Sequence, residues 1–242
     1  MSKNVASFIS KLDKLHERTI DVFVPSLKKK VPTKCLNLKQ QKDLISSVLD
    51  GLKGTLDFSR TLNKIIIQNS GLTNLKVYDK LPFIITMRKD ALGTKAGSVE
   101  LQSVLDNIKN IPLDIKDEVV IKQGTLKLTL SVPTLRQENI LLSKCEQEIN
   151  TEQDVLKDGV GKLYIYEIIK YIDSIQVEDD VLEMDDIRIH ERVKLVEKLP
   201  LTVYTKINSF IESVNKYSND ILTVDETEVA IDVDFFDTSA DD

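Results

Sequence analysis

Strict alternation of apolar and polar residues over positions 125–132 is the pattern that most constrains the fold of this chain. Leu126, Leu128 and the apolar residues that follow share one face of a strand, because successive side chains of a strand point to opposite faces. An apolar segment over positions 119–122 precedes it, and Gly124 lies in the turn between the two. The arrangement predicts a β-hairpin with one buried and one solvated face.

Other segments repeat apolar residues three and four positions apart, which predicts amphipathic helices. A further pair of alternating segments, over positions 19–25 and 31–38, predicts a hairpin near the N-terminus, with prolines that suit an edge strand. The predicted fold class is therefore α+β, in which β-hairpins are each followed by amphipathic helices, packed as one or two lobes. The predicted helices cover positions 3–17, 39–52, 55–71, 79–93, 134–150, 165–172, 185–199 and the segment that begins at Pro200.

The point near Pro112 is where a division of the chain disturbs the predicted core least. It separates an N-terminal lobe, residues 1–112, with a hairpin and helices, from a C-terminal lobe, residues 113–242. The C-terminal lobe has its own hairpin, helices and a terminal acidic strand. One continuous domain is the alternative.

The segment 229–236 near the C-terminus combines strand alternation with acidic and aromatic residues and contains no basic residue. Such a segment is suited to add to a sheet edge, either that of its own chain or that of another chain. The turn around position 28 carries the densest basic patch, which favours either a phosphate contact or simple solvation. The candidate partner-binding residues are Val229, Ile231, Val233, Phe235, Phe236, Lys28, Lys29 and Lys30.

Charge is distributed unevenly along a chain whose formal net charge is −6. Residues 1–60 hold 12 basic and 6 acidic side chains, whereas residues 181–242 hold 6 basic and 15 acidic ones. This polarity favours head-to-tail self-association or association with other proteins, and a solvated surface with an acidic tail is the alternative. The acidic balance argues against nucleic-acid binding, although a module that uses the lysine turn is a further hypothesis.

Residue types that carry catalysis or bind metals do not converge in any recognisable motif. The chain has 2 histidines, and Lys194 stands where a zinc-protease helix beginning at His190 needs its second histidine. The acidic stretch 178–186 has the charge to attract Ca²⁺, but it is predicted to be a solvated loop. We expect no catalytic residue, metal or cofactor. An enzyme with an unrecognised carboxylate site is the alternative, and it requires a pocket with acids of raised pKa.

No apolar run approaches the roughly 20 residues of a membrane span, so we expect none. The 2 cysteines stand far apart, at Cys35 and Cys145, which fits a reducing cytoplasm rather than a disulfide framework.

Several segments together resemble one protein family. The hairpin at 22–31 runs directly into the lysine- and glutamine-rich helix 38–52, and the isoleucine-rich helix 62–69 follows. The segment 79–88 and the residues 231–236 complete the set. On these residues the chain resembles the baseplate hub subunits of T-even-type contractile-tail bacteriophages. Those chains tend to carry an aromatic or arginine–proline–aromatic segment on the second strand, where this one has Thr33, Lys34, Cys35 and Leu36.

The resemblance implies a non-enzymatic structural or morphogenesis protein that helps to build the tail baseplate hub through protein–protein contacts. Its expected partners are other phage tail or baseplate hub proteins, and its expected locations are the host cell cytoplasm during assembly and the virion tail baseplate. A tail assembly chaperone that does not stay in the virion is the alternative within the same class.

Overall fold

Hairpins and helices alternate along the chain, and the predicted α+β class is confirmed. The computed structural model describes residues 8, 11, 18–47, 52–148, 158–231 and 234–236. These residues form eight α-helices and ten strands. The helix predicted over residues 3–17 lies outside them apart from Phe8 and Lys11, both helical.

The first hairpin and the four helices after it form the N-terminal part of the fold. The hairpin pairs β1 with β2 in antiparallel register, as predicted. Helix α3 begins with a proline in its first turn and ends at Gly93, whose φ of +112° suits glycine. The elements are β1 (Thr19–Val24), β2 (Lys29–Lys34), α1 (Leu38–Ser47), α2 (Leu52–Ser70), a 3-10 turn (Val77–Asp79), α3 (Lys80–Leu92), β3 (Lys95–Ala96), β4 (Val99–Glu100) and α4 (Leu101–Asn110).

A four-stranded antiparallel sheet, in the order β5-β6-β7-β8, organises the rest of the chain. The predicted hairpin forms its first two strands, and two helices separate them from the second hairpin. The predicted capping box opens the first of these helices, because Gln137 and Thr134 exchange hydrogen bonds. The elements are β5 (Glu118–Gln123), β6 (Leu126–Ser131), α5 (Leu135–Glu148), α6 (Asp158–Ile169), β7 (Ile172–Val177) and β8 (Asp180–Glu183).

The chain then returns through two helices and a small hairpin to a final 3-10 turn. The last helix is amphipathic, and its buried face carries Val203, Ile207 and Phe210, as its spacing predicts. The elements are a 3-10 turn (Met184–Asp186), α7 (Ile189–Glu197), α8 (Leu201–Leu222), β9 (Thr223–Val224), β10 (Thr227–Glu228) and a 3-10 turn (Asp234–Phe236).

Buried apolar side chains from both predicted lobes form one hydrophobic core. Helix α2 packs against α5, and α4 packs against α8. One row of this core crosses the sheet from β5 to β8 through residues that face one another. The exposed fractions along the row are 5 % for Ile121, 0 % for Leu128, 6 % for Ile175 and 47 % for Leu182. The cover over this face therefore ends before β8.

Three local expectations differ from the structure. Ile172 begins β7 instead of extending a helix, because the chain leaves the helix at Ile169. The acidic stretch 178–186 contains strand β8 rather than a loop alone. In the predicted C-terminal strand, residues 229–231 lie outside helices and strands and Asp234–Phe236 form a 3-10 turn, while Asp232 and Val233 lie outside the described residues.

Leu128 and Leu182 belong to the row that crosses the sheet, and together they test where burial of this face ends. Leu128→Ala removes a fully buried side chain, so we expect the free energy of unfolding to fall by roughly 2–5 kcal/mol. Leu182→Ala removes a side chain that is already half in water, so we expect a loss below about 1 kcal/mol. Urea denaturation measures both, and equal losses would contradict the open position of Leu182.

Candidate functional site

The lysine turn lies at the tip of the first hairpin, and a buried carboxylate tethers it. Lys28, Lys29 and Lys30 are exposed, and Lys28 adopts a φ of +50°. Next to them, the Oγ of Ser26 donates to Asp79 at 2.6 Å, and the backbone amide of Ser26 donates to the same carboxylate at 3.0 Å. The tether gives the three ammonium groups a fixed platform.

Asp79 is fully buried, and burial raises the pKa of its carboxyl. Hydrogen bonds from Ser26 and from the amide of Lys76, at 2.8 Å, act in the opposite direction because they favour the charged form. All of these donors belong to the turns on either side, so the geometry assigns Asp79 to fixing the hairpin tip against α3.

The C-terminal segment packs on the helices of the N-terminal part. Val229, Phe235 and Phe236 are buried, and Ile231 is half-buried. The guanidinium Nε of Arg88 donates to the carbonyl of Phe235 at 2.7 Å. These contacts lie within one chain, and they replace the sheet pairing that the alternation predicted; the partner-binding role of the segment stays a prediction.

Two further contacts hold the end of this segment. The side-chain amide of Gln41 on α1 donates to the carbonyl of Phe236 at 2.9 Å, and the ring of Phe236 lies 6.3 Å from the ring of Phe58 on α2. The last described residues thus bridge α1, α2 and α3. No sequence motif signals this, because Arg88 and Phe235 are 147 positions apart.

The open edge of the sheet is a surface that the sequence analysis missed. The strand order ends at β8, and all four residues of β8 are exposed. Val181 is 52 % exposed on one face, and Leu182 is 47 % exposed on the other. Val177, across the turn, is 48 % exposed. An added strand could cover these apolar side chains on both faces of the edge while it pairs with the edge backbone.

Hydrogen-bond direction along the hairpin shows which backbone groups are available. The amide of Glu178 donates to the carbonyl of Thr125 beside β6. The backbone groups of successive residues point to opposite sides of an antiparallel strand. Those of Glu178 point to β6, so those of Ile175 point to β8, where Ile175 and Leu182 form a hydrogen-bonded pair. The N–H and C=O groups of Val181 and the N–H of Glu183 therefore point away from the sheet, while the C=O of Glu183 accepts the first bond of the 3-10 turn that follows. The outward groups form a ready template for a further strand.

Acidic residues surround this template. The stretch 178–186 contains six carboxyl side chains and no basic one. Asp180 and Glu183 flank the apolar pair Val181 and Leu182, so β8 has the order acidic, apolar, apolar, acidic. The signal in the sequence is the apolar pair itself, because two large apolar residues are unusual in a solvated acidic loop.

A buried ion cluster lies where helices of both predicted lobes meet. Glu138 on α5 accepts from the ammonium of Lys80 on α3 at 2.8 Å and from that of Lys170 at 3.3 Å. The amide of Asn63 on α2 donates to the same carboxylate at 2.6 Å. Burial alone would raise the pKa of Glu138, but the two ammonium groups outweigh it and lower the pKa to about 2.

A polar cleft of about 390 Å³ lies between this cluster and β8. Lys170, Arg192, Asp173 and Glu183 line it, so basic and acidic groups face one another across it. The basic groups are held by neighbours: Arg192 donates to the carbonyl of Ile187 at 2.9 Å, for example. Because Glu183 belongs to β8, the cleft borders the end of this edge strand.

Within the described residues, no three histidine, cysteine or acidic side chains come together in a way that could hold a metal ion. None of the described helices combines the length and the apolar character needed to cross a membrane. Comparison with known families, with characterised proteins and with solved structures finds no match for this chain.

The low pKa of Glu138 predicts a specific loss of stability in acid. The carboxyl has a pKa of about 2 in the folded chain against 4.5 for an ordinary glutamate, so its contribution is complete above pH 4.5 and is lost as the pH falls toward 2. Over that interval, we expect the free energy of unfolding of the wild type to fall by about 3 kcal/mol more than that of Glu138→Gln.

Urea denaturation at a series of pH values measures this difference. Glu146→Gln is the matched control, because Glu146 lies on the same helix and pairs with Arg60 in a partly solvated position. Equal pH slopes for the wild type and for Glu138→Gln would contradict the charged state of the buried carboxyl.

The contacts of the C-terminal segment predict that Phe236 stabilises the N-terminal helices. We expect Phe236→Ala to lower the free energy of unfolding by roughly 3–5 kcal/mol, because the ring is fully buried. Leu38→Ala, at a side chain that is 79 % exposed on α1, should change it by less than about 0.5 kcal/mol. Thermal or urea unfolding compares the two, and a neutral Phe236→Ala would show that the segment is not anchored there.

Proposed function

We propose that this chain is a structural or morphogenesis protein that acts through protein–protein contacts in the assembly of a phage tail baseplate hub, with β8 as its docking strand. The observation that carries the proposal is the open edge: outward backbone groups that no described strand pairs with, flanked by half-exposed Val177, Val181 and Leu182. Main-chain hydrogen bonds to an added strand give affinity, and side-chain contacts on its two faces give specificity.

The support for this kind of assembly comes from the resemblance of the sequence to baseplate hub subunits. The support for contact through β8 comes from rigidity as well as exposure. Strand β8 pairs with β7 along its whole length, and the next residue, Met184, is buried at 1 % exposure. A strand that is paired with β7 on one side and anchored by a buried residue at its end is ordered before a partner binds, so docking costs little conformational entropy.

A proline at the outward position of β8 tests the proposal. Val181→Pro removes an N–H that points away from β7, so it blocks strand addition while it leaves the existing ladder intact. We expect this variant, expressed with an affinity tag in cells that produce phage tails, to recover baseplate hub proteins at least about tenfold less than the wild type.

Val120→Pro is the matched control. Val120 has the corresponding outward position on β5, the opposite edge strand, and is 42 % exposed. It should recover the same proteins as the wild type. A wild-type chain that recovers no tail or hub protein and stays alone at micromolar concentration would contradict the proposal. A mass spectrum of purified virions then separates a retained component from an assembly chaperone.

A further inference from the structure

We infer that the segment that docks on β8 is an extended strand of a different polypeptide, with the order basic, apolar, apolar, basic. This inference rests on the proposed function, and it names the chemistry of the partner and the way in which it binds. It follows from the side chains on each face of the edge and from their charge.

The faces of β8 set the order of the partner residues. Residues that lie directly opposite in neighbouring strands share a face. A residue opposite Leu182 extends the buried row beyond the sheet, where an apolar side chain covers surface that is now half in water. A residue opposite Val181 does the same on the other face. The partner therefore contributes two adjacent apolar residues, one to each face.

The charges of β8 set the flanking residues. Asp180 and Glu183 stand on either side of the apolar pair. Opposite charges in facing positions of a strand pair stabilise it, and like charges in those positions destabilise it. A lysine or arginine opposite each carboxylate therefore forms a favourable charge pair on either side of the two apolar residues. The surrounding acidic residues of 178–186 attract a basic segment before contact.

The same charges disfavour a second copy of this chain as the occupant. Pairing β8 with β8 of another copy would bring two acidic 178–186 stretches side by side. The basic strand β2 of another copy is a poor alternative, because Pro32 at its centre lacks an N–H for a ladder. The occupant that fits is therefore a basic, extended segment of another protein.

Two synthetic peptides test this inference on the full-length chain. Each is about ten residues long, a usual strand length, with a central Lys-Val-Ile-Lys in one and Glu-Val-Ile-Glu in the other. We expect the lysine peptide to bind the wild type and Val120→Pro, measured by fluorescence anisotropy. Affinity should fall roughly tenfold between roughly 50 mM and roughly 500 mM salt, because exposed ion pairs are screened.

Two variants locate the binding. Val181→Pro should lose the lysine peptide, because the outward N–H is gone. The double variant Asp180→Lys with Glu183→Lys changes exposed side chains and should exchange its preference, losing the lysine peptide and gaining the glutamate peptide. This exchange is a gain of binding, so misfolding of a variant cannot imitate it.

Four results would overturn the inference. They are equal binding of both peptides, binding that survives Val181→Pro, no binding of the lysine peptide at millimolar concentration, and a wild-type dimer that Val181→Pro dissociates in sedimentation experiments. If any of these occurs while tagged wild type still recovers hub proteins in a β8-dependent manner, the proposed function stands and the partner chemistry is wrong. If recovery itself is absent, the proposed function fails.

Discussion

A single buried carboxylate, that of Glu138, joins the parts of this fold. Its oxygens accept hydrogen bonds from Asn63 on α2, from Lys80 on α3 and from Lys170 at the end of α6. Removing one member of such a cluster leaves an uncompensated charge in the core, which costs roughly 3–5 kcal/mol. Helices from both predicted lobes must therefore meet at one place, and the continuous apolar core around them follows from that meeting.

Helix α8 packs against β5 and belongs to the same apolar core as the helices around this cluster. The face of the sheet that carries Ile121, Leu128 and Ile175 is buried, and this burial stops before β8. The C-terminal segment does not extend it, because Arg88 and Gln41 hold its last described residues on α1, α2 and α3. Within the part of the chain that the structure describes, this packing leaves the acidic, half-apolar edge at β8 uncovered.

Elements that depend on local pattern could be predicted from the sequence. The alternation over 125–132 with its short turn predicted β5 and β6, and the capping box at Thr134 predicted the start of α5. Elements that depend on contacts between residues far apart in the sequence could not be predicted from it. Ile168, Ile169 and Ile172 continue a helical spacing, so nothing local marks the change from α6 to β7.

In the candidate site, too, local sequence pattern was informative and contacts between distant residues were not predictable. Strand β8 has four residues and lies between acidic neighbours, so its composition does not identify it as a strand. Its pairing with β7 in the structure does. The predicted C-terminal strand differs from the structure for a related reason. Its alternation is genuine, but the anchors at Arg88 and Phe58 lie far away in sequence and impose a 3-10 turn on Asp234–Phe236.

Amide hydrogen exchange at β8, measured on the free chain and on the chain recovered with its partners, tests the central claim most directly. In the free chain, the amides of Val181 and Glu183 should exchange rapidly, and that of Leu182 should be protected by its bond to β7. In the recovered assembly, the amides of Val181 and Glu183 should become protected. Unchanged exchange at these two amides, with new protection elsewhere on the chain, would contradict the account.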